Sequence, residues 1–152
     1  MKNILYLFLF CALCLTCVAC ASKESSRMGE ARDIQKKIME QKVKLDSLID
    51  SSVEEFNKTI STMSQNEAMM TDSGFMKEFS GVQSRVSSLA TWKSKLSDFS
   101  SAMPMIPEGE LPTGSENPFG ESATDEDILN AMNENFNTMN GFKASIDSIS
   151  KN

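Results

Sequence analysis

Apolar positions recur along this chain in two different patterns. Ile4 to Ala19 form an apolar run of sixteen residues behind the short Met1-Lys2-Asn3 segment, and the chain turns polar immediately afterwards at Ser22-Lys23-Glu24-Ser25-Ser26-Arg27. From Arg27 to Met70 the apolar residues are instead spaced at helical intervals. Ile34, Ile38, Leu45 and Leu48 begin a stripe, and Ile49, Val53, Phe56, Ile60 and Met63 continue it. The phase slips near Leu48-Ile49, so the stripe is not a strict heptad. No Pro or Gly falls between residues 30 and 73, which predicts one long helix over about 27–70. At 1.5 Å per residue it would run for about 60 Å.

Thr71-Asp72-Ser73-Gly74 is a turn and cap cluster. Beyond it Phe75, Phe79, Val82, Val86, Leu89, Leu96 and Met103 fall on steps of four and three, predicting a second helix over 73–103. Trp92 and Phe99 widen its apolar stripe. Residues 104–123 then break the pattern. Pro104, Pro107, Pro112 and Pro118 lie there with Gly109, Gly114 and Gly120, and proline removes the N–H that a helix needs. Thr124 reads as an N-cap with Asp125, Glu126 and Asp127 on the first turn, where carboxylates oppose the positive end of the helix dipole. Leu129, Met132, Phe136, Met139, Ile146 and Ile149 mark a third helix over 124–150. No stretch alternates as a strand does.

Three amphipathic helices bury their stripes most simply against one another. The expected fold is all-α: an antiparallel three-helix bundle over residues 30–152, with a long first helix and an irregular Pro/Gly-rich loop before the third. A twenty-residue irregular connection is long for a compact domain, and the pattern gives it no regular structure, so it reads as a mobile connector or a binding element, with Ile106, Leu111 and Phe119 as the side chains able to dock onto the bundle.

The cysteines change the picture at the amino terminus. All four lie there, at positions 11, 14, 17 and 20. The spacing suggests a metal–thiolate site, but the residues between them are mostly apolar, and a metal site needs hydrogen-bonding partners around its ligands. A positive start, an apolar core and a polar continuation are the layout of a cleaved secretory signal. Cys17-Val18-Ala19-Cys20 resembles the lipobox of bacterial lipoproteins, with cysteine at 17 where that family favours leucine. The resemblance covers residues 1–21 only. It implies cleavage before Cys20, a signal over 1–19, a lipid on the Cys20 thiol and a Ser-rich tether over 20–29. Ala21 in place of aspartate implies passage to the outer membrane. Ala19-Cys20-Ala21 is also an A-x-A site, so secretion as a soluble protein after Ala21 stays open, as does an uncleaved anchor.

Composition then removes functions. Histidine is absent, which excludes Ser–His–Asp and Cys–His catalysis. The net charge of −6 argues against nucleic acid, which needs a basic footprint. Glu108, Glu110, Glu116, Glu121 and Asp125–Asp127 form an acidic stretch without Lys or Arg. It reads either as a site for a divalent cation or basic partner, or as a solvated loop running into a helix start. Glu108, Glu110, Leu111, Glu116 and Phe119 are its candidate interaction residues. The methionines suit core filling or an adaptable groove for an apolar ligand. No cofactor is implied. The expectation is a non-enzymatic envelope lipoprotein presenting a helical bundle to a protein partner. The alternative is a carrier of lipid or another apolar ligand in a Met-rich groove.

Overall fold

The computed structural model describes residues 26–151 apart from 67, 68 and 70. They form α1 (Ser26–Ser64), α2 (Ser73–Ala102), a 3-10 turn (Gly114–Glu116) and α3 (Asp125–Ser150). The fold is the expected three-helix bundle, and the described residues contain no strand. α1 runs parallel to α3: Arg27 pairs with Glu126 at 2.6 Å, and the Gln41 amide donates to the Met139 carbonyl at 3.3 Å. α2 runs against both. Lys93 of α2 meets Asp50, and the Arg85 guanidinium lies over the Phe56 ring.

One core joins the three helices. α1 contributes Ala31, Ile38, Leu45 and Ile49, α2 contributes Leu89 and Leu96, and α3 contributes Ile128, Met132, Met139 and Ile146. Met132 and Met139 are fully enclosed, so these thioethers serve as core filler. Phe142 sits between Trp92 and Phe99 with both centroids 5.4 Å away, so the aromatic cluster packs α3 onto α2.

Helix ends follow local chemistry. α3 begins with a reciprocal capping box, in which the Asp127 N–H donates to Thr124 Oγ1 and the Thr124 N–H donates to Asp127 Oδ2. Asp72 caps α2 by accepting from the Phe75 N–H at 2.8 Å. α1 stops at Ser64, short of the expected Met70. Its last turns are rich in Ser, Thr and Asn, whose side chains compete for backbone groups. Ser64 Oγ donates to the Ser61 carbonyl, and the Asn66 N–H bonds back to Met63 in a tighter three-residue turn. Little apolar burial offsets that competition, because Ile60 and Met63 are only half-buried and Ser61, Thr62 and Ser64 are exposed. At the other end α1 is already helical at Ser26, inside the segment expected to be a tether.

Candidate interaction surface

The segment 104–123 departs from the mobile connector that its composition suggested. Met103 closes α2, with its N–H bonded to the Phe99 carbonyl, and Pro104 prevents continuation. The chain then lies as a strap against α1. Ile106 is only 4% exposed and belongs to the core, while Leu111, Phe119 and Ala123 pack against that core half-buried. Ile106, Leu111 and Phe119 are therefore anchored inward, whereas Met105 stays exposed.

Two α1 side chains hold the strap by its backbone. Gln35 Nε2 donates to the Ile106 carbonyl at 3.2 Å, and the Ile106 N–H donates to Gln35 Oε1 at 2.6 Å. One amide thus satisfies both polar groups of a buried residue, as a neighbouring strand would. One turn earlier, Arg32 Nη2 donates to the Pro107 carbonyl at 3.3 Å and to the Gly109 carbonyl. Gly109 has φ +100°, a conformation that side chains disfavour. Further along, the Asn117 and Gly120 N–H groups close successive turns, and Asn117 Oδ1 accepts from the Phe119 N–H.

With Ile106, Leu111 and Phe119 inward, the strap turns its acids outward. Glu108, Glu110, Glu116 and Glu121 are exposed. The candidate interaction residues thus divide: Leu111 and Phe119 anchor, while the three glutamates face solvent. Asp125–Asp127 lie on the first turn of α3, where Glu126 pairs with Arg27 and Asp127 completes the cap. Among the described residues, no three acidic, cysteine or histidine side chains converge as a metal site would require. Thr124 holds the Asp127 carboxyl below its ordinary range, first through its hydroxyl and then through its N–H. Asp147 and Glu54 are lowered chiefly by hydrogen bonds from Lys143 and Lys58. These shifts belong to a helix cap and surface ion pairs.

Arg32 and Gln35 are the residues that sequence reasoning missed. Both read as members of a solvated face, and their spacing carries no mark of a target more than seventy positions away. Ile106, Leu111 and Phe119 carried the signal for docking, since isolated large apolar residues in a Pro-rich segment need somewhere to dock, and all three do. Cys20, and with it the lipidation site and both cleavage alternatives, lies outside the described residues. No described helix is long and apolar enough to cross a membrane. Comparison with known protein families, characterised proteins and solved structures finds no match.

Proposed function

We propose that this chain is a non-enzymatic lipoprotein of the bacterial cell envelope, held through a lipid on Cys20 and passed to the outer membrane. Its bundle presents the strap to a protein partner of complementary positive charge. One observation carries the interaction part: the strap's aliphatic and aromatic groups are anchored to α1 and the core while Glu108, Glu110, Glu116 and Glu121 face solvent. An acidic surface already ordered on a helix loses less freedom on binding than a mobile loop would. Opposed charge across such a contact chiefly speeds association and rejects wrong partners. The anchor part is supported by the lipobox resemblance at Val18-Ala19-Cys20. Ligand carriage draws less support. The two clefts described are open and have charged side chains on their walls, and the most enclosed methionines fill the core.

The test is photo-crosslinking in intact cells from a reactive residue placed at Ser115, exposed on the strap. The expected result is one discrete adduct with a protein. It should disappear when Glu108, Glu110 and Glu116 are changed to Lys, while the bundle stays folded. Equal crosslinking by the charge-reversed strap would overturn the proposal, as would no adduct from either.

A further inference from the structure

The three helices differ in length, and the difference opens a groove. α1 and α2 have 39 and 30 residues, and α3 has 26. Phe142 packs between Trp92 and Phe99, and only eight residues of α3 follow it, ending at Ser150. At 1.5 Å per residue α3 stops about 12 Å further on, near the level of Ser87 on the opposed α2. The first turns of α2 and the last turns of α1 therefore continue as a two-helix hairpin. Among the described residues no third helix lies beside it.

The side of α2 that receives α3 has a different chemistry along this hairpin. Steps of seven residues back from Phe99 pass Trp92 and reach Arg85 and Glu78, which share a side of the helix. There Gly74, Lys77, Glu78, Gly81, Val82 and Arg85 line an open cleft of about 370 Å³. A Cβ placed on Gly81 would meet nothing within 4 Å, so another backbone can approach closely at that point. The Arg85 guanidinium rests over the Phe56 ring, 5.8 Å from its centroid, which places it at the edge of the groove.

We infer that the groove is filled by a second copy of this chain, its α2 lying antiparallel across a two-fold axis between Gly81 and Val82. That axis sets Glu78 against Arg85 of the second copy, and Arg85 against Glu78 of the second copy. Gly81 of each copy flanks the axis, where the backbones come closest, while Val82 is turned into its own chain, only 7% exposed. A two-fold contact makes each such pair twice, so a surface joins a copy of itself only when its own charges are complementary. This one is, with an acid and a base at equal distances from the axis. The inference rests neither on the lipid anchor nor on the strap, so it stands or falls separately from the proposed function.

Sedimentation equilibrium of the full-length chain in density-matched neutral detergent tests it. The expected result is a reversible monomer–dimer equilibrium. Gly81→Leu should leave helicity and cooperative unfolding intact, since its Cβ meets nothing in its own chain, and should abolish the dimer. Glu78→Arg should weaken association by at least roughly tenfold by setting like charges together. Adding Arg85→Glu to it should restore affinity to within about threefold of wild type, as coupled pairs do. A monomer at every concentration would overturn the inference and leave the groove to a helix of another protein. A dimer unchanged by Gly81→Leu and Glu78→Arg would overturn it equally.

Discussion

Asp127 shows how much a single side chain settles in this molecule. Its carboxylate accepts from both the N–H and the hydroxyl of Thr124, so one residue fixes the start of α3 and the end of the strap. Thr124 and the acids after it were legible as a cap because capping chemistry is local. Gln35 was not legible, because its meaning depends on Ile106, which chain topology brings to it. The core was read in part. Ile38, Leu89 and Met139 belong to it as expected, while Ile128, beside the expected Leu129, is the residue fully enclosed. A one-residue change in facing turns a helical side chain by about 100°, and packing against two neighbouring helices decides it.

Acid sensitivity follows at this scale. Asp127, Asp147 and Glu54 hold folded-state pKa values below their ordinary ones. Each therefore contributes stability that is present above its unfolded pKa and is lost as pH falls through the lowered folded value. The thermal midpoint should accordingly fall once pH drops below about 4. Thr124→Ala removes the side-chain hydrogen bond that depresses Asp127, so its melting curve should depend less on pH in that window. An equal acid dependence in the two proteins would contradict the role given to the cap.

Among the elements, the helices were readable and the strap was not. Helical periodicity declares itself within a few turns, so all three helices and their approximate limits could be read from the chain. The end of α1 was misplaced because absence of Pro and Gly is not sufficient for helix. Ser, Thr and Asn without burial also end one. The course of the strap depends on contacts between residues more than seventy positions apart, and composition alone suggested mobility. Hydrogen exchange distinguishes the two states. The Ile106 amide is buried and bonded to Gln35, so it should exchange as slowly as amides in the middle of α2. Gln35→Ala leaves that N–H without its acceptor and should cost about 1–3 kcal/mol. It should raise exchange at Ile106 while sparing the helices. Free-peptide exchange at Ile106 in the wild type would show that the strap is not docked.

At the scale of the whole molecule, three amphipathic stripes led to a bundle because each helix has one apolar side to cover. The stripes did not reveal that α3 is too short to cover the far ends of α1 and α2. That follows from register, fixed by Arg27–Glu126 at one level and Phe142 against Trp92 and Phe99 at another. Nor can an antiparallel bundle alone say where it works. The proposed location rests on residues 1–21 and on Cys20 above all. A lipid carrying two acyl chains on that thiol would hold the chain stably on a membrane, since each buried methylene contributes about 0.8 kcal/mol. Metabolic labelling with a fatty acid, followed by membrane fractionation, therefore tests the central claim most directly. Wild-type protein should take up label and sediment with the membranes, whereas Cys20→Ser should carry no label and appear in the soluble fraction. An unlabelled wild type, or one found in the soluble fraction alongside Cys20→Ser, would contradict the lipoprotein account.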